Sequence, residues 1–215
     1  MNKNTISVAE SEWEEVKNSY PKLADLENDS GIFKSEGEID IIDPSGILWR
    51  TFKVRIQIPL KYPNVLPSIY ETGGQLQRVP DWHINIDGSC CVGPSSKVYR
   101  KLDFKLTLIR WLDLVVMPYF FDQVHKLETG DYAGKEYSHG KKGLIEDYMS
   151  WWNLNTPEEV IHKLKLITGE IKIQRNEKCF CGSNIKYKRC HLRSEFFDNI
   201  PLLVYKQDLK NIIAE

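Results

Sequence analysis

Gly37-Glu38-Ile39-Asp40-Ile41-Ile42-Asp43-Pro44-Ser45-Gly46-Ile47-Leu48-Trp49-Arg50-Thr51-Phe52-Lys53-Val54-Arg55-Ile56-Gln57-Ile58 is the stretch that decides the fold. Apolar and polar residues alternate from Phe52 to Ile58 with the period of a half-buried strand. Asp43-Pro44-Ser45-Gly46 is turn chemistry between two such runs. Two antiparallel strands joined by a tight turn follow. Beyond them, Tyr62-Pro63-Asn64-Val65-Leu66-Pro67 fixes an extended corner, because each proline locks its own φ and restricts the residue before it. Ser68-Ile69-Tyr70 then reads as a further short strand, which makes residues 31–72 an antiparallel meander.

Helical text lies on both sides of the meander. Ser7 and Glu10 have the spacing of a capping box, and Val8, Trp13, Val16 and Tyr20 form a stripe that Pro21 ends. Residues 73–101 carry no periodicity, and a long loop in a small domain is more often functional than not. Leu106, Leu108, Ile109, Leu112, Val115 and Val116 restore helical spacing, interrupted at Pro118. Leu144 to Trp152 reads as a short helix, and Thr156-Pro157-Glu158-Glu159 starts another whose face is Val160, Ile161, Leu164 and Ile167 and whose end is Gly169. The class is α+β. Trp13, Trp49 and Trp111 fit core faces, while Trp82 and the Trp151-Trp152 pair are candidates to edge the loop.

With 215 residues and 41% hydrophobic content, the chain can bury a core of roughly 150 residues and carry a small appendage. Its 29 basic and 30 acidic residues nearly cancel, so nothing favours nucleic acid or an anionic membrane as partner. The N-terminus has no signal-like apolar run, and the apolar stretch from Leu112 to Phe121 is broken by Asp113 and Pro118, which makes the cytoplasm the expected location. In that reducing compartment five cysteines are not a disulfide framework. They fall as an adjacent pair, Cys90-Cys91, and three in a distal window.

Around the pair the chain reads Trp82-His83-Ile84-Asn85-Ile86-Asp87-Gly88-Ser89-Cys90-Cys91-Val92-Gly93. A cysteine nucleophile needs thiolate character and access, and a nearby carboxamide can stabilise the oxyanion of acyl transfer. The strand meander, the Tyr-Pro-x-x-x-Pro corner, His-x-Asn, Gly-x-x-Cys and a following helix occur in the order that resembles ubiquitin-conjugating (E2) enzymes, over roughly residues 7–150. That resemblance implies a UBC (E2)-like antiparallel meander flanked by helices. His83 and Asn85 fall on the family's His-Pro-Asn motif, and Cys91 falls on its thioester cysteine by spacing from Gly88.

Ile84 stands where the family has proline, the interval from Asn85 to Cys91 is short, and Cys90 precedes the matched cysteine. In these features the chain looks like the divergent prokaryotic E2-like proteins of antiphage islands, as does Tyr137-Ser138-His139-Gly140, which resembles a histidine-glycine element of those versions. In CBASS defence operons such a protein handles the C-terminus of a cGAS/DncV-like nucleotidyltransferase. The implied activity is therefore a thioester between Cys91, or Cys90, and a protein C-terminus, passed on to an amine. Asn85 would steady the oxyanion and His83 would pin the loop. No adenylating sequence is present, so the acyl group must arrive activated. Two competing readings are an inactive E2-variant module that scaffolds a partner, and a redox pair at Cys90-Cys91, although a disulfide between neighbours is strained. An adjacent pair can also be two small buried apolar residues. Asp87 and Asp103 read as solvated charges, and His125 and His162 as ordinary helical residues.

Cys179-Phe180-Cys181-Gly182-Ser183-Asn184-Ile185-Lys186-Tyr187-Lys188-Arg189-Cys190-His191 supplies Cys-x-Cys and Cys-His, enough to close tetrahedrally on zinc. So short a segment with so few apolar residues would depend on the metal to fold. It closely resembles the SEC-C motif, in Ser183 and Lys186-Tyr187-Lys188 as well as in Cys179, Cys181, Cys190 and His191. The resemblance implies a structural Zn2+ in an interaction knuckle. The expected organisation is an E2-like domain over 1–152, a connecting helix over 153–172, the zinc knuckle over 173–195, and a tail or helix over 196–215.

Overall fold

The turn at Asp43 forms as its residues require: the Asp43 carboxylate accepts from the Ser45 and Ile47 amides at 2.8 and 2.9 Å, and the Asp43 amide returns a bond to Ile47 O. It joins β2 (Ile32–Ile42) to β3 (Leu48–Ile58), which pair antiparallel from Phe33↔Ile58 to Ile42↔Leu48. A short β1 (Glu27–Asp29), which the sequence pattern does not signal, borders β2, and β4 (Ser68–Glu71) borders β3. The computed structural model describes residues 3–133, 138, 140–179, 183–190 and 199–214. Among these the sheet order is β1-β2-β3-β4, an antiparallel meander in an α+β chain.

Alternation along the strands sends Phe33, Ile39 and Ile41 of β2 and Phe52, Val54, Ile56 and Ile58 of β3 to one buried face, each worth about 1.5–3 kcal/mol when fully withdrawn from water. Trp49, expected in the core, is half exposed beyond a register shift at Ile41/Ile42, its ring edge on Phe121 at 5.4 Å. α1 (Lys3–Ser19) opens earlier than the Ser7 cap suggested, since no proline or glycine precedes Ser7 to stop a helix. Its Trp13 and Val16 are buried, and Glu12 ties it to the corner and to the next helix: the carboxylate accepts from the Tyr62 hydroxyl and from the Leu108 amide at 2.8 Å. The Tyr62–Pro63 bond is cis.

The aperiodic stretch holds more structure than its text announces, namely a 3₁₀ turn at Pro80–Trp82 and α2 (Ser95–Lys101). Pro118 does not break the following helix. α3 (Leu108–Trp111) passes through a π turn (Leu112–Val116) into α4 (Met117–Thr129). The widened turn, in which Met117 donates to Leu112 O, places the proline in the first turn of α4, where its missing amide costs least. Phe120 and Val124 of α4 are fully buried, and Phe120 lies 4.7 Å from Phe52.

The chain divides into two compact units: Met1–Gly93 with Lys101–Lys135, which contains the sheet, and Pro94–Arg100 with Glu136–Glu215. In the second, α5 (Gly140–Trp152), α6 (Pro157–Thr168) and α7 (Leu202–Ile213) pack together. Thr156 caps α6 with the full box, its side chain accepting from Glu159 N while Glu159 accepts from the Thr156 amide, and Gly169 closes the helix in the left-handed region. Tyr148 donates to the buried Asp208 at 2.7 Å, and Trp152 stacks against Tyr148 and Tyr205. Trp151 and Trp152 are half-buried within this unit. No helix among the described residues is long and apolar enough to cross a membrane.

Candidate functional site

Ser89-Cys90-Cys91 runs as a short extended segment between two neighbours. On one side Cys90 N donates to Ile69 O at 2.8 Å and Ser89 bridges to Tyr70; on the other, Ile84 bridges to Cys90 and Cys91 N donates to His83 O at 2.7 Å. Extended backbone points successive side chains to opposite sides, so the two thiols part. Cys90 is buried, and burial pushes its thiol up to about 12, with the Tyr119 hydroxyl opposing the rise. Cys91 is exposed. Cys90 therefore stays protonated at neutral pH and behaves as the small buried residue that one reading allowed, and the accessible thiol is Cys91.

The loop before the pair is fixed by its own polar side chains. Asn85 Nδ2 donates to Ser89 Oγ at 2.9 Å, Ser89 Oγ donates to Asp87 Oδ1 at 2.6 Å, and the Ser89 amide donates to the same oxygen at 2.9 Å. The Ser89 hydroxyl beside it holds the Asp87 carboxyl below the usual range. Gly88, at φ +86°, lets the turn close with its amide on Asn85 O at 2.9 Å. Asn85 thus stands exposed with one amide proton engaged and its orientation set. Pro80, Ile84, Asn85, Ile86, Asp87 and Ser89 line an open groove along this loop, and Ile86 is 91% exposed at its rim.

His83 holds the loop through its main chain. It takes a left-handed conformation, φ 48°, at the end of the 3₁₀ turn, and its carbonyl accepts both from Cys91 N and from the Tyr119 hydroxyl at 3.1 Å. Its ring lies 5.1 Å from that of Tyr132. Two further side chains of α4 hold the preceding residues: Gln123 Nε2 donates to Trp82 O at 3.2 Å, and Lys126 Nζ donates to Asp81 O at 2.7 Å and Asp81 Oδ2 at 2.8 Å. The sequence reading missed Tyr119, Gln123 and Lys126. Helical spacing puts the three on one stripe, but nothing in the sequence points to their partners. The structure brings His83, Asn85, Cys90 and Cys91 together. Tyr137 and His139 of the proposed histidine-glycine element lie outside the described residues.

In the distal window Cys179 N donates to Ile185 O at 2.8 Å, Lys178 bridges to Lys186, and a 3₁₀ turn (Tyr187–Arg189) leads into Cys190. Cys179 and Tyr187 are buried, and Ser183 Oγ is 3.5 Å from Cys190 Sγ. Cys181 and His191 lie outside the described residues, among which no group of three metal-ligating side chains forms. The backbone pairs Lys178 with Lys186, so that Cys179 follows this bridge and Cys190 follows the 3₁₀ turn.

Compared with known proteins, residues 175–193 match the SEC-C motif, a zinc-binding type of motif. No curated protein and no solved structure matches the chain.

Proposed function

We propose that the first unit is a UBC (E2)-like conjugating domain. In this reading Cys91 takes up a protein C-terminus as a thioester and passes it to an amine, within bacterial antiphage defence of the CBASS kind and in the reducing cytoplasm. The observation that carries the reading is the exposed Cys91, held by the His83 carbonyl on the loop that follows a four-stranded meander, with Asn85 set in place on the same loop. The Cys91 thiolate attacks an activated acyl carbonyl, and the bond to the leaving group breaks as the thioester forms. Asn85 presents its amide to the oxyanion. An incoming amine then attacks the thioester, loses a proton to solvent, and releases the Cys91 thiolate. The partner is a cGAS/DncV-like nucleotidyltransferase, engaged through its C-terminus.

Cys179, Cys181, Cys190 and His191 hold a structural Zn2+ in the SEC-C segment, where four protein ligands leave no open position for catalysis. The test of the conjugating reading is co-expression with such a nucleotidyltransferase, followed by non-reducing gels and intact mass. A thiol-labile adduct that survives Cys90→Ala and disappears with Cys91→Ala is expected. An intact complex with no adduct would replace the enzyme by a binding module.

A further inference from the structure

The face of α4 that meets the cysteine loop is built in an unusual way. Tyr119, Gln123 and Lys126 stand at i, i+4 and i+7, one stripe of the helix, and each donates to a different main-chain carbonyl: His83 O, Trp82 O and Asp81 O, consecutive residues read in reverse. All three side chains are buried. A buried amide and a buried ammonium in a small domain are costly unless they are partnered, and here both are. Gln123 also reaches the Tyr132 hydroxyl at 3.2 Å, and the Lys126 ammonium sits over the Tyr132 ring at 4.3 Å and the Trp82 ring at 5.1 Å with Asp81 Oδ2 beside it. Leucines on this stripe would pack without that cost, but would take these three hydrogen bonds away and leave His83 O to Cys91 N alone.

From this we infer that Tyr119, Gln123 and Lys126 are positioning residues for Cys91. The inference rests on the reading of Cys91 as an acyl-accepting thiol. The three side chains lock the Pro80–Trp82 turn and the left-handed His83 that ends it. The His83 carbonyl, so fixed, holds the Cys91 amide, and the amide fixes where the thiol stands relative to Asn85. Tyr119 acts a second time, because its hydroxyl also contacts the Cys90 thiol on the inner side of the same segment. The arrangement acts on where the thiol stands, so acyl transfer, which needs geometry, must separate from simple alkylation, which needs only an accessible thiolate.

The experiment uses the full chain as native protein and as Tyr119→Phe, Gln123→Met, Lys126→Met and Lys126→Arg. The acyl probe is the mercaptoethanesulfonate thioester of acetylglycine. The Cys91 thiolate attacks its carbonyl, the C–S bond to Cys91 forms as the bond to the leaving thiolate breaks, and that thiolate takes up a proton from solvent. Acylation of Cys91 is followed by intact mass and peptide mapping, alkylation by iodoacetamide, and folding by circular dichroism. The expected result is that Gln123→Met and Lys126→Met slow acylation by about tenfold or more while alkylation stays within about twofold, with Tyr119→Phe between them and native. Lys126→Arg, which keeps a charged donor, recovers most of the Lys126→Met loss. Equal acylation of all variants, or acylation and alkylation falling together with lost helicity, overturns the positioning role and leaves the conjugating reading standing. Failure of the native chain to take the acyl group on Cys91 removes both.

Discussion

Replacing Cys90 by serine should flatten the alkaline loss of stability of the sheet unit. In the folded chain burial raises this thiol from its ordinary 9.0 to about 12, so the folded state holds the proton that the unfolded chain releases. Protons bound to the folded state exceed those bound to the unfolded state between the two values, and stability therefore falls as pH rises through that window. The contribution is complete below about pH 9. By pH 10 about 1.4 kcal/mol of it is gone, and the whole shift corresponds to about 4 kcal/mol, an order-of-magnitude figure since Tyr119 titrates in contact with the thiol. Buried tyrosines are raised as well: Tyr20 and Tyr148 are common to both proteins and cancel in the comparison, and Tyr119, raised first by its own burial and then by Cys90, cancels in its larger part. Urea unfolding of native and Cys90→Ser protein at pH 7 and pH 10, monitored by tryptophan fluorescence, measures the difference. Native protein should lose about 1.4 kcal/mol more than the variant over this interval. Equal losses would mean that Cys90 is not held as a buried neutral thiol, and the division of roles between the two cysteines would fall with it.

Iodoacetamide at pH 8 should label Cys91 and spare Cys90, because a thiol at about 12 is ionised to about one part in ten thousand; peptide mapping that found the two labelled at similar rates would contradict the burial. Gly37→Ala should destabilise the sheet unit by about 2 kcal/mol or more, since a β-carbon there meets Lys22 O at 2.2 Å and Leu23 Cα at 2.8 Å; unchanged thermal melting would refute this. Thr156→Ala, which removes the cap that accepts from Glu159 N, should cost the second unit about 1 kcal/mol in urea unfolding. Elemental analysis should find stoichiometric zinc, lost in Cys179→Ser together with protease resistance of residues 175–193. Retained zinc in that variant would exclude Cys179 as a ligand.

The meander was legible because its code is local: a period of two, a turn whose aspartate caps its own backbone, and prolines that permit few conformations. The box at Thr156 and the stop at Gly169 were legible for the same reason. β1 was not, because Glu27-Asn28-Asp29 is polar and exposed and becomes a strand only by pairing with β2. α2 stayed hidden in Ser95-Ser96-Lys97, where no apolar stripe announces a helix. At the candidate site the four residues of the loop could be named from chemistry and resemblance, but spacing could not say which cysteine faces outward. That depends on Ile69 and His83, which grip the segment from either side. The three holders on α4 were invisible for a related reason: their partners are carbonyls, which every residue has, so the sequence carries no complementary mark.

The π turn at Leu112–Val116 has a consequence for how this helix should be compared with others. The wide turn absorbs one residue, so Leu108, Trp111, Val115, Tyr119 and Gln123 stay on one side of the helix, where a plain α-helix would let each step of four drift by about 40°. The same sequence wound as an unbroken α-helix would keep Leu108 and Trp111 on the core and turn Tyr119, Gln123 and Lys126 about 100° away from residues 81–83. The two would be identical as text, yet differ in whether residue 83 is held.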